Sequence, residues 1–450
     1  MNHLKSQLPP QLNTCSQEAI LSYFQNSWQL EDELMKTIVG AETFYINPDA
    51  LRNPFIFYLG HSAVFYINKL IRVNLLDEGI HKDKETIFEI GVDPQTADEL
   101  NAAIGHIQWP QLSEVWDYRH RAYEVISKLI QETPIDSPIC QESPLWALMM
   151  GIEHQRIHFE TSSMIIRQLP VEKVKRPEGW QYAPSNCHLS SNEMVEVAGG
   201  LVEIGKPQDS PFYGWDNEYG YRQVEVEPFL ASQYTITNGE YRDFVSAGGY
   251  ENPNFWDKES RRWRSEFKIQ HPKFWIPVGD GYKYRAMFDE IELPLDWPVE
   301  VNHHEAMAYC RWQGEGMRLM SEAEWNLATY GTAKNDEARV ELNPVEEYNL
   351  NLKFGSPSPA GLLRQTKSSS GLYDLRGNVW EWLGDDFNPL AGFQPHFLYE
   401  DNSTPFFDSQ HKMMLGGAWA TTGTQALQYY RNWFRPSFYQ HAGFRIAKSL

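Results

Sequence analysis

The chain has 450 residues, 42% hydrophobic and 22% charged, the balance of a folded protein of two or three domains rather than a disordered one. Its net charge of −21, with no compensating Lys/Arg run, argues against a surface that tracks nucleic-acid phosphates. No apolar run reaches the ~18 residues needed to span a bilayer, Met1–Leu12 lacks the layout of a signal peptide, and the four cysteines (Cys15, Cys140, Cys187, Cys310) form no CxxC pair. A cytoplasmic protein without a disulfide framework or a cysteine zinc site is expected.

In chain order, residues 14–169 read as helical. Apolar residues recur at three- and four-residue spacing from Ala19 to Ile38, Pro54 to Leu75, Leu112 to Ile130 and Ser143 to Leu169, which predicts four amphipathic helices and a bundle. Pro170 ends the last of them. Residues 170–193, polar and punctuated by Pro177 and Pro184, read as a linker. Short β-like runs then begin (Met194–Val197, Leu201–Ile204, Val224–Val226) between Gly and Pro turns. The clearest later helical period is His304–Gln313. Residues 194–450 are expected to form one loop-rich, irregular α+β domain.

The chemistry is concentrated in the fourth predicted helix. His154 and His158 are four residues apart and project from one face about a turn apart, so two imidazoles can share one first-row metal ion. A third ligand is required from elsewhere, and His61 on the second predicted helix is the candidate, because facing helices of a bundle bring such residues together in its core. Three neutral nitrogens leave about three octahedral positions open, which suits Fe(II), although imidazoles also accept zinc or copper.

The helical half resembles the DinB-like four-helix domain, in which three histidines bind a metal. The second half resembles the formylglycine-generating-enzyme fold. That likeness rests on Asn302–Trp312 (NHHEAMAYCRW), Arg318–Trp325 (RLMSEAEW), Gly371–Trp382 (GLYDLRGNVWEW), Leu415–Trp419 (LGGAW) and the closing Gly443–Arg445 (GFR). The succession of the two resembles the iron-dependent sulfoxide synthases of ergothioneine and ovothiol biosynthesis, over residues 15 to 450. Phe57–Leu70, His158–Ser163 with Ile166–Pro170, and Tyr213–Tyr219 are similar to the ovothiol branch. Ergothioneine-type enzymes often carry glutamine before the second helix histidine; this chain has Ile157, which favours histidine over its trimethylated betaine, hercynine.

The resemblance implies Fe(II) as cofactor, histidine, cysteine and O2 as substrates, and 5-histidylcysteine sulfoxide as product. It implies a proton- or hydrogen-donating tyrosine from the second domain, here Tyr399. Arginines are expected to receive the substrate carboxylates, with Arg119, Arg121, Arg431 and Arg435 as candidates. Asn378–Trp382 is expected to be structural, beside a calcium ion in some relatives. The cysteine pair of the formylglycine-generating enzymes is missing after Cys310, so cysteine–copper oxidation of a sulfatase is excluded. The sequence ends at Leu450 without a methyltransferase domain, so a separate methyltransferase is the expected later partner. The alternatives are an ergothioneine-type synthase using hercynine with cysteine or γ-glutamylcysteine, a selenium-utilising relative, a non-catalytic binding protein, and a zinc-dependent thiol transferase.

Overall fold

The computed structural model describes residues 5–89, 91–185, 191–332 and 345–450; Cys187 and the 186–190 part of the expected linker lie outside them. Four long helices form where the apolar spacing places them: α1 (Gln17–Met35), α2 (Phe55–Arg72), and, after two short helices α3 (Lys82–Ile87) and α4 (Ala97–Ile104), α5 (Leu112–Glu132) and α6 (Leu145–Ile166). Ser16 starts α1 by accepting from the Ala19 amide, which satisfies one of the amides a helix start leaves unpaired.

α1 and α2 each pack against both α5 and α6, closing the bundle. The α5 residues Val115, Tyr118, Ala122, Ile126 and Leu129 are buried on one stripe, and the outer face is charged. α6 differs: it is buried almost all round, because the bundle covers one side and the second half of the chain covers the other. No helix among the described residues is long and apolar enough to cross a membrane.

In the second half, Met194–Val197 pairs antiparallel with Phe229–Ser232, which pairs with the C-terminal strand Ile446–Ser449, which pairs with Arg318–Leu319. A second four-stranded sheet runs in the order Asn432–Phe434, Lys412–Leu415, Trp380–Asp386, Ala442–Gly443. A hairpin (Gly200–Ile204 with Arg222–Val226) and a three-stranded sheet beginning at Trp275 complete the β structure among the described residues. Among the described residues four helices intervene, α7 (Asn238–Ser246), α8 (Lys258–Phe267), α9 (His303–Gln313) and α10 (Glu322–Tyr330), and α9 covers the expected His304–Gln313 period. α7, α9 and α10 each start with a capping box: Thr237 with Glu240, Asn302 with Glu305, and Ser321 with Glu324. They are too short for a sustained period, but their starts are chemically defined.

Candidate metal centre

The bundle brings His61 of α2 to His154 and His158 of α6, with one ligand atom from each within 4.8 Å of the others. Among the described residues this is the one such group of His, Cys, Asp or Glu side chains. His61 and His154 are buried and His158 is half-buried. The His61 Nδ1–H donates to the Phe88 carbonyl at 2.6 Å. A carbonyl only accepts, so the proton sits on Nδ1 and Nε2 keeps its lone pair for a metal. The Nε2 atoms of His154 and His158 lie 3.2 Å apart.

Burial pushes the His61 pKa down to about 4, against the opposing Phe88 bond. Burial, then the neighbouring histidines, hold His154 well below the usual imidazole range; burial, then His61 and Arg52, do the same for His158. Each shift favours the neutral imidazole, the form that metal binding requires. The donor set fits a divalent first-row ion: three neutral nitrogens converge in a buried space, and the Nδ1 atoms of His154 and His158 have no hydrogen-bond partner among the described residues.

Aromatic rings hold these imidazoles in place. Phe65 stacks on His154 at 3.6 Å and 7°, Phe57 stacks on His61 at 4.7 Å, and Tyr58 lies 5.9 Å from His158. Tyr399, from the second half, comes to 6.2 Å from His154 and 5.3 Å from Phe65, ring to ring. Lys69 of α2 ties the two halves together here: its ammonium donates to the Leu398 carbonyl at 2.6 Å and lies 4.5 Å from the Tyr399 ring. Burial, then Asp401 and Asp216, raise the Tyr399 phenol above its ordinary pKa, so it holds its proton. Ile157 is half-buried beside His158.

The four expected arginines do not join this cluster. Arg119 is buried inside the bundle, 2.6 Å from Asp32 and 3.0 Å from Glu31, and donates to Ser62 and the Leu59 carbonyl. Arg121 is exposed. Arg431 pairs with Glu322 at 2.6 Å and Arg435 with Asp93 at 2.6 Å. Three of these guanidiniums, those of Arg119, Arg431 and Arg435, already hold a protein carboxylate. The Asn378 side chain is likewise engaged, accepting from the Ser358 amide and donating to its carbonyl.

Residues that the sequence did not single out complete the site. Phe65 follows His61 by one helical turn, a spacing that was readable. The Phe88 carbonyl carries no sequence signal. Arg52 lies with its guanidinium 4.5 Å from the Phe438 ring and 5.2 Å from Phe434, within charge range of His158, and its buried Nη2 has no partner among the described residues.

The model of the sulfatase-modifying factor enzyme 1-like domain matches residues 181–450. The hercynine oxygenase of Mycolicibacterium smegmatis is 32% identical over 332 residues, covering 68% of this chain and 72% of that protein. The hercynine oxygenase of Mycobacterium tuberculosis is 33% identical over 240 residues, covering 52% of this chain and 55% of that protein. Ergothioneine biosynthesis protein 1 of Neurospora crassa is 24% identical, covering 94% of this chain and 57% of its own length. The chain thus spans little more than half of the tuberculosis and Neurospora relatives. It belongs to the sulfatase-modifying factor enzyme 1-like family, in the group that contains the hercynine oxygenases.

Proposed function

We propose that the protein is an Fe(II)-dependent sulfoxide synthase that joins cysteine to the imidazole ring of histidine at the expense of O2. The observation that carries this reading is a three-histidine cluster buried at the seam of the two halves and faced by Tyr399. Atoms and electrons balance without an external reductant. The thiol S–H and one ring C–H are lost, a C–S and an S–O bond form, four electrons pass to O2, and its second oxygen leaves as water.

His61, His154 and His158 would hold the iron, which would supply redox chemistry toward O2 and lower the pKa of the cysteine thiol. The chain's own residues do the rest. The Phe88 carbonyl fixes the His61 tautomer, Phe65 and Phe57 exclude water from the imidazoles, and Tyr399 holds a phenolic proton beside His154 for delivery to a reacting oxygen. Arg52 is suited to a substrate carboxylate, because its Nη2 is buried and has no hydrogen-bond partner among the described residues.

The relatives' names favour a second reading, in which hercynine is the acceptor; Ile157 favours histidine. Anaerobic reconstitution with Fe(II) or Zn(II), followed by O2 uptake and product mass spectrometry with histidine or hercynine plus cysteine, separates them. A cysteine–histidine sulfoxide formed only with iron and O2 is the expected result. Turnover with zinc in the absence of O2 would rule the oxidase out, and turnover of hercynine alone would reassign the substrate.

A further inference from the structure

A second cavity adjoins the metal centre. The start of α6, the 213–216 segment and the loop carrying Tyr399 line a narrow cleft that is partly open, with about 230 Å³ of empty space when the open solvent is included. Trp146, Tyr213 and Trp215 supply aromatic walls, and Tyr399 and Asp216 line the same space. The Tyr213 ring lies 4.6 Å from Trp146 and stands edge-on to Trp215 at 5.3 Å.

Asp216 is unusual among the buried acids. It is 7% exposed, and its Oδ1 accepts from the Asn217 amide at 2.9 Å, Asn402 at 2.8 Å and Ser403 at 2.6 Å. Its Oδ2 is buried without any hydrogen-bond partner among the described residues. Glu300, Glu322 and Glu381 are each paired with an arginine. Glu153 and Glu160 have both oxygens hydrogen-bonded. Glu31 also keeps a free oxygen, but it pairs with Arg119. Asp216 alone among the described buried acids combines a free oxygen with no Lys or Arg partner. His396 on the same wall brings no cation, because its ring accepts from the Leu398 amide and donates to the Gln141 carbonyl.

A buried carboxylate oxygen without a counter-ion invites a cationic donor, and aromatic faces strengthen that preference. Two further buried atoms on the wall lack partners among the described residues: the Trp215 Nε1–H, which can only donate, and the Tyr213 hydroxyl. An acceptor for a cation beside a donor for an anion matches the head group of a zwitterionic amino acid.

We infer that this cavity binds the α-amino-acid head of a substrate, with Asp216 Oδ2 accepting from the ammonium and Trp215 Nε1 donating to the carboxylate. The inference rests on the reading of the protein as an enzyme of two amino acids. The head group is common to histidine and cysteine, so the test contains both.

The experiment is calorimetric binding to the full chain under anaerobic conditions, without turnover. The ligands are L-histidine, L-cysteine and their desamino counterparts, imidazolepropionate and 3-mercaptopropionate. Asp216→Asn keeps an Oδ1 for the three existing bonds and places an amide N–H₂ where the ammonium would sit. The wild type is expected to prefer one amino acid over its desamino counterpart by at least tenfold, and D216N to abolish that ratio while binding the desamino compound as before. Which ratio changes identifies the substrate. Trp215→Phe provides a second variant: the same amino acid should lose its preference over the decarboxylated amine, histamine or cysteamine. Equal weakening of an amino acid and its desamino counterpart by D216N, or an unchanged ratio for both amino acids, overturns the inference. If wild-type protein ignores histidine but cysteine keeps a D216-dependent preference, the acceptor assignment falls and the cavity assignment stands.

Discussion

His61 takes its orientation from a backbone carbonyl, that of Phe88, and the Phe88 ring lies over Gly60. A Cβ at Gly60 would come within 2.7 Å of that ring. Gly60→Ala must therefore displace Phe88 and with it the carbonyl that fixes the tautomer. Metal affinity is expected to fall by about 10–100-fold, read by competition with a chelator, while the far-ultraviolet circular dichroism stays that of the parent. His61→Ala, His154→Ala or His158→Ala should each abolish stoichiometric iron after anaerobic reconstitution, measured by elemental analysis; full iron in any of them removes that residue from the ligand set.

Glu305 is a residue-scale case away from the metal. Both its oxygens accept bonds, from Tyr250 at 2.5 Å and the Asn302 amide at 3.0 Å, yet burial outweighs them and pushes its pKa up to about 7 from the usual 4.5. The folded state thus holds this proton more tightly than the unfolded one. The resulting stabilisation is complete below pH ~4.5 and is lost as pH rises to about 7. Glu305→Gln should flatten the stability–pH curve in that window by at most about 3 kcal/mol, measured by urea unfolding at several pH values. A slope identical to that of the parent would show that Glu305 does not titrate there.

At the scale of the element, α6 does two jobs with two faces. His154 and His158 point to the bundle, while Glu153, Glu160, Ser163 and Arg167 form a polar stripe against the second half. Glu153 accepts from the Thr424 amide and hydroxyl, Glu160 from Trp380 at 2.6 Å and Thr421 at 2.8 Å. Ser163 meets His441 at 2.9 Å, and Arg167 pairs with Glu300 at 2.6 Å. Helical periodicity puts these residues on one side, so His154 and His158 are mounted on a helix whose reverse is bolted to the other domain. Arg167→Met leaves the Glu300 carboxylate buried without its guanidinium, and a loss of about 3–5 kcal/mol is expected, visible as a lowered midpoint in thermal melts. Gly151 on the same helix allows α2 to approach: a Cβ there would meet the Tyr66 ring at 2.3 Å. Gly151→Ala should cost about 1–3 kcal/mol through overpacking.

At the scale of the molecule, the main apolar core does not respect the division into halves. It runs from Ile20, Phe24 and Ile152 through Tyr213 and Trp215 to Trp380, Trp419 and Phe444. Calorimetry should accordingly show one cooperative endotherm; two transitions separated by tens of degrees would mean that the halves unfold independently and that the α6 stripe is weaker than its bonds imply. The three-histidine cluster and Tyr399 have the same cross-domain character, with histidines from the bundle and the tyrosine from a loop about 240 residues further on.

Local chemistry decided much of this protein. Apolar spacing marks the four long helices, because a helix that buries a face must repeat every three or four residues. Spacing also puts His154 and His158 on one face. The capping boxes of α7, α9 and α10 were equally legible, as Thr237, Asn302 and Ser321 each precede a glutamate by three residues, although their short runs carry no period. Only tertiary structure decided that His61 completes the cluster, that Phe88 lends it a carbonyl, and that Arg119, Arg431 and Arg435 are held by Glu31, Glu322 and Asp93. An arginine's spacing in sequence says nothing about which distant carboxylate will neutralise it. That depends on which surfaces are buried together, and α6, buried on both sides, is where those surfaces meet.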